Sequence, residues 1–111
     1  MGLDLEVYPI INSRLDCWLG YNRLKFHREE ILFDKIRSLE KNRISSDVSF
    51  KIYEDEGIVT KNTDPYDYPL RYVYPSDIAT IKLDNLNEWN RSIIIFLSSI
   101  PEHIPIVLYW C

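Results

Sequence analysis

Glycine and histidine are scarce in this chain, and their scarcity excludes several kinds of catalytic site. The three glycines, Gly2, Gly20 and Gly57, are too few to build a phosphate-cradling loop. His27 lies near a predicted helix start and His103 lies between two prolines, so we interpret both as surface or turn residues rather than general bases. No serine lies in a Gly-x-Ser-x-Gly motif. We therefore expect a protein that is not an enzyme and that needs no cofactor.

Metal-ligand patterns are also lacking. Cys17 and Cys111 match no zinc spacing and no Cys-x-x-Cys motif, and in a reducing compartment we expect both to be free thiols. Asp64, Asp67 and Asp77 do not have the alternate spacing and central glycine of a calcium loop. We interpret these three acids as loop residues and caps, and we predict no metal site.

Long apolar runs and excess positive charge are absent from the sequence as well. No run approaches the roughly 20 residues that a membrane helix needs, and the N-terminus does not resemble a secretory signal. Seventeen acidic and 13 basic residues give a formal net charge of −4, which disfavours direct binding to nucleic acid and suits a basic partner. We expect a cytoplasmic protein without membrane contact, folded as a single domain over residues 1–111.

Residue periodicity predicts the order strand, helix, strand, strand, helix, strand. This is the order of an α+β, ferredoxin-like split βαβ domain, in which two helices cover one face of an antiparallel sheet. The predicted elements are Leu3–Tyr8, His27–Lys41, Asp47–Tyr53, Ile58–Thr60, Asp84–Ile100 and Ile104–Trp110, with a short extra strand at Leu70–Tyr74.

The longest predicted helix carries one apolar stripe. Asp84 is its predicted N-cap, and Pro101 ends it. Ile95 lies about 200° around the helix from Ile93, at about 100° per residue, and so falls on the polar side. It is either a single exposed apolar residue or part of a contact with another chain. The stripe itself comprises Leu86, Trp89, Ile93, Phe96, Leu97 and Ile100.

Two further segments leave alternatives open. The acidic turn Glu54–Gly57 is either an ordinary charged hairpin tip or an acidic finger that enters a basic groove, and Gly57 can supply a positive φ there. The continuous apolar run Ile106–Trp110 is typical of a strand covered on both faces, although it also suits a dimer seam. We assign no secondary structure to Cys17–Tyr21, in which Gly20 supplies a turn or a close approach.

Tyrosines and prolines are concentrated between Lys61 and Asp77. Tyr72 and Tyr74 share one face of the short extra strand, next to Arg71, as RNA-binding aromatics do. However, the glycine–aromatic motif of RNA-recognition sheets is absent and the net charge has the wrong sign. We favour tyrosines that pack within the fold, and the alternative is that some of them anchor a partner.

The beginning of the chain resembles small phage or prophage accessory proteins. The resemblance rests on Met1-Gly2-Leu3-Asp4 at the start of a strand, the aromatic segment Cys17–Tyr21 and the following helix, and it covers about the first third of the chain. It implies a protein that binds and blocks host machinery, as anti-CRISPR and other anti-defence inhibitors do, and it assigns no functional residue. Toxin-immunity proteins are similarly short and acidic.

The sequence thus leads to one main hypothesis and two alternatives. The main hypothesis is a non-enzymatic inhibitor of a larger, basic, nucleic-acid-handling host protein. The alternatives are a domain that binds a small ligand or nucleotide with its aromatic loop, and a toxin-immunity protein. The predicted partner-binding residues are Glu54, Asp55, Glu56, Asp64, Tyr66, Asp67, Tyr68, Tyr72, Tyr74 and Ile95.

Overall fold

A computed structural model describes residues 4–10, 17–20, 22–40, 42–45, 47–61 and 63–111. Three predictions fall partly outside these residues: the start of the chain and of the first predicted strand (1–3), the last residue of the aromatic segment (21) and the last residue of the first predicted helix (41). The helices are α1 (Glu30–Ser38), α2 (Pro75–Ile78) and α3 (Glu88–Ser99). The strands are β1 (Leu5–Pro9), β2 (Cys17–Gly20), β3 (Leu24–Lys25), β4 (Asn42–Arg43), β5 (Ser49–Glu54), β6 (Gly57–Lys61), β7 (Arg71–Val73) and β8 (Ile106–Trp110).

The strands form two sheets. The larger sheet has the order β3-β1-β8-β7-β4, and every neighbouring pair in it is antiparallel. The smaller sheet has the order β2-β5-β6, in which β2 is parallel to β5 and β6 is antiparallel to it. The predicted α+β class, the β5–β6 hairpin and the short extra strand are confirmed. The ferredoxin-like arrangement is not, because the hairpin pairs with β2 in a separate sheet instead of joining β1 and β8.

β8 is covered on both of its faces, as the continuous apolar run predicts. Ile106, Leu108 and Trp110 pack in one core with residues of α1 and α3. Val107 and Tyr109 pack in a second core with residues of β5. The larger sheet is therefore the middle of three layers, with the helices on one face and the smaller sheet on the other.

α3 begins later than predicted, and its buried face is rotated. The side chain of Asn87, not Asp84, caps it by accepting a hydrogen bond from the backbone N–H of Asn90 at 2.8 Å. Trp89 lies at the edge of the buried face of α3 and is 50% exposed. Its indole Nε1 donates to the Lys25 carbonyl at 2.8 Å. Phe96, one heptad later, is also about half exposed. The buried residues are Asn90, Ile93, Ile94 and Leu97.

Asn90 also explains why α1 begins at Glu30 and not at His27. Its amide oxygen accepts from the His27 backbone N–H at 2.7 Å. Its amide nitrogen donates to the His27 carbonyl at 2.8 Å and to a Glu29 carboxylate oxygen at 2.6 Å. These bonds use the His27 backbone groups outside the helix, so the chain enters α1 only after Glu29.

Gly20 lies at a close contact between the two sheets. A Cβ atom added at Gly20 would lie 2.9 Å from ring carbons of both Phe50 and Tyr8, which is shorter than any ordinary carbon–carbon contact. Both rings are almost completely buried. Glycine is therefore required at this position by space, as the sequence suggests.

We predict that Gly20→Ala destabilises the protein by about 1–3 kcal/mol, because the added methyl group forces two buried rings to move. Urea denaturation followed by circular dichroism measures the change. The double variant Gly20→Ala/Phe50→Leu is the control. Removing the Phe50 ring relieves part of the clash, so the two changes should cost less together than the sum of their separate effects. Simple additivity would contradict this packing.

Candidate partner-binding surface

The β5–β6 hairpin carries the predicted acidic tip. Glu54 pairs with Gly57 in the register of the two strands, so only Asp55 and Glu56 form the loop. Gly57 has φ of +127°, a conformation that favours glycine. The three acids are exposed. Two antiparallel strands thus fix three carboxylates at one end of the smaller sheet.

The charge at this tip is partly balanced on one side. Nζ of Lys61 lies 4.0 Å from a carboxylate oxygen of Glu54, although Lys61 is at the opposite end of β6. The two long side chains reach each other because both lie on the face of the sheet that carries Phe50 and Ile52. The pKa of Arg23 is raised mainly by Glu6 and to a smaller extent by Asp55, so Asp55 also has a cation nearby. Part of the negative charge at the tip is therefore balanced within the chain.

A short loop after β6 holds two exposed tyrosines. Oδ1 of Asp64 accepts from the backbone N–H of Tyr66 at 2.8 Å and from that of Tyr68 at 3.1 Å. The Asp64 backbone N–H donates to the Tyr68 carbonyl at 3.0 Å. Asp67 is exposed and takes φ of +64°. These bonds close the loop on itself, and they leave Tyr66 38% and Tyr68 68% exposed.

Asp64 is largely buried within the loop, and its predicted role in partner binding stays a prediction. Only 7% of the residue is exposed, and one of its carboxylate oxygens is used by the two loop N–H groups. Its side chain acts inside the loop, because an aspartate two and four residues before backbone N–H groups can bind both of them. Asp67 is the acid that this loop presents to solvent.

Tyr72 and Tyr74 are partly buried beside the smaller sheet, and their role in partner binding stays a prediction. The Tyr72 ring meets the Trp18 ring edge to face at a centroid distance of 5.2 Å and the Tyr74 ring at 5.7 Å. Burial raises the pKa of Tyr72, and the neighbouring Tyr74 raises it further. Both residues are half-buried. The contact of Tyr72 with Trp18 joins β7 of the larger sheet to β2 of the smaller one. The exposed tyrosines on the hairpin side are Tyr66 and Tyr68 in the loop and Tyr53 on β5.

Ile95 lies on a different surface. It is 52% exposed on α3, and α3 packs on the opposite face of the larger sheet from the hairpin. It borders a groove of about 310 Å³ with Ala79, Ile81, Leu83 and Ser98 among its lining residues. The structure therefore separates the predicted partner-binding residues into a hairpin side and a helix side.

The two histidines do not lie on the hairpin side. The His27 ring stacks on Trp89 with centroids 5.7 Å apart, at the edge of the helical layer, and His103 is exposed in the turn before β8. Among the residues that the structure describes, no three His, Cys, Asp or Glu side chains are grouped so that they could hold a metal ion. The same residues include no helix that is long and apolar enough to span a membrane.

Sequence reasoning missed two residues that shape the hairpin side. Ile58 is 55% exposed on β6, opposite Tyr53 in the register, and simple alternation could have placed it outward. Trp18 is inward on β2, and only the parallel pairing of β2 with β5 shows this.

Comparisons with protein families, characterised proteins and solved structures yield no match to this chain.

We predict that Asp64→Ala loosens the tyrosine loop and costs about 1–3 kcal/mol of stability, because two N–H groups lose a charged acceptor. Asp64→Asn is the matched control, since its amide oxygen can still accept both bonds. Hydrogen exchange of the Tyr66 and Tyr68 amides should become much faster in the alanine variant than in the asparagine variant. Equal exchange rates in the wild type and both variants would contradict the role that we assign to Asp64.

Proposed function

We propose that this protein is a non-enzymatic inhibitor that binds a larger, basic, nucleic-acid-handling host protein through its hairpin side, as anti-CRISPR and other anti-defence proteins do. One observation carries the proposal: a hairpin tip with three exposed acids precedes β6 and a loop with two exposed tyrosines follows it, so the two flank a single five-residue strand. The net charge of −4 supports a basic partner.

The acidic tip supplies the electrostatic part of this function. Carboxylates on a protruding two-residue turn can approach lysine and arginine side chains that otherwise bind phosphate groups. Surface charges of this kind act mainly on the association rate, because they steer the encounter of the two proteins over a distance set by the salt concentration. Asp55, Glu56 and Asp67 are the exposed acids that we assign to this role.

The tyrosine loop supplies the anchor. Tyr66 and Tyr68 offer large apolar rings with a hydroxyl group at the end, which is the chemistry that binding hot spots favour. The hydrogen bonds of Asp64 already order this loop, so little conformational entropy remains to be lost when a partner binds. The loop therefore provides contact area, whereas the tip provides charge.

Capture from a nuclease-treated lysate of the native host, followed by mass spectrometry, identifies the partner, and measured binding rates then test the proposal. The variant Asp55→Asn/Glu56→Gln removes two negative charges with little change of shape. We expect it to lower the association rate severalfold at low salt and to have little effect at high salt.

Tyr66→Ala/Tyr68→Ala should instead raise the dissociation rate, by tenfold or more for an anchor worth about 1.4 kcal/mol or more.

Ile95→Glu is the matched control on the helix side, and we expect it to leave both rates unchanged. Added DNA should compete with the protein for the captured partner. Loss of binding in Ile95→Glu, with normal binding in the hairpin-side variants, would move the partner site to the helix side. A partner without a basic surface, or an association rate that does not depend on salt, would contradict the proposed mechanism.

A further inference from the structure

The outer strands of the two sheets differ in length. β3 and β4, at the edges of the larger sheet, have two residues each, whereas β2 and β6, at the edges of the smaller sheet, have four and five. Short edge strands are one way in which proteins avoid pairing with another chain. Only the smaller sheet therefore offers an edge long enough to continue.

β6 also lacks the usual devices that protect such an edge. Its residues Gly57–Lys61 include no proline, its pairing with β5 is regular over all five positions, and a charged residue stands only at its end. Ile58 and Thr60 are exposed and Val59 is half-buried, and these β-branched residues favour strands. In the part of the chain that the structure describes, β5 is the only strand that pairs with β6.

The charges at the two ends of this edge favour a second copy of this chain as its occupant. The acids Glu54, Asp55 and Glu56 lie at the Gly57 end of β6, and Lys61 is the last residue of the strand. Within one copy Nζ of Lys61 lies 4.0 Å from a carboxylate oxygen of Glu54, and a second copy would bring its Lys61 to the same group of acids. Antiparallel pairing of two copies brings Lys61 of each copy to the acidic tip of the other, and the two-fold axis repeats this contact. Parallel pairing would instead place acid against acid. A uniformly basic segment would meet Lys61 as a like charge.

We propose that two copies of this chain associate by antiparallel pairing of their β6 strands, which joins the two smaller sheets into one six-stranded sheet. Such an interface is isologous, because the same strand forms both halves of it. Pairing of single five-residue strands buries little surface, so we expect a weak and reversible dimer. This association does not depend on the proposed function, since it needs no other protein.

Sedimentation equilibrium of the pure protein over a range of concentrations tests the dimer. Glu56→Lys and Lys61→Glu each place like charges together at both ends of the paired strands. We expect each variant to weaken dimerisation by about fivefold to tenfold. The double variant Glu56→Lys/Lys61→Glu restores opposite charges across the interface and should recover most of the lost affinity.

Ile58→Lys provides a second test that does not depend on the Lys61–Glu54 ion pair within one copy. Ile58 is largely exposed, so the substitution should preserve the fold while placing a lysine on the edge, and we expect it to be monomeric. Circular dichroism checks that every variant is folded. A wild-type protein that remains monomeric at millimolar concentration, or a dimer that all four variants form equally well, would overturn the proposal.

Discussion

The structure depends on β8 being buried on both faces. If only the helices covered β8, its other face would be solvated. Val107 lies on that other face and is as fully buried as Ile106 and Leu108 on the helix face. β1 pairs with all five residues of β8, and β7 pairs with Ile106, Val107 and Leu108 on the other side, so the register of β8 is fixed. A slip of one residue would exchange the side chains of the two cores. The smaller sheet is consequently a required layer of the fold and not an appendage to it.

The burial of β8 determines how the hairpin side is presented. Phe50 and Ile52 pack in the same core as Val107 and Tyr8, so the strand that leads to the acidic tip is anchored at its base. The tyrosine loop follows directly from β6 and is closed by Asp64. Both parts of the proposed binding surface therefore stand on a packed support, which is what a binding protein needs if it is to lose little entropy on association. Among the described strands, β6 is the last in the order β2-β5-β6, so one of its edges has no strand paired with it.

Local signals in the sequence were sufficient for much of this structure, and the misses have physical causes. Alternation identified the hairpin, and the unbroken apolar run identified β8 as a doubly covered strand. The second sheet was not predictable, because β2 has four residues and pairs in parallel with a strand about 30 residues away. The predicted start of α3 is wrong because Asp84 and Asn87 are both residues that favour N-cap positions. Asn87 caps the helix through the backbone N–H of Asn90, whose side chain is held by the distant backbone of His27. The burial of Asp64 could have been read from its short-range spacing to Tyr66 and Tyr68.

Native-state hydrogen exchange measures the central claim directly, because it reports the free energy at which each strand opens. If β8 unites the three layers, the slowest amides of β5 and of β8 should open only in global unfolding, with the same free energy and the same dependence on denaturant. If instead the amides of β5 open at a much lower free energy, while those of β1 and β8 keep the global value, the smaller sheet is an independent and mobile unit. That result would contradict the account of a binding surface held on a rigid support.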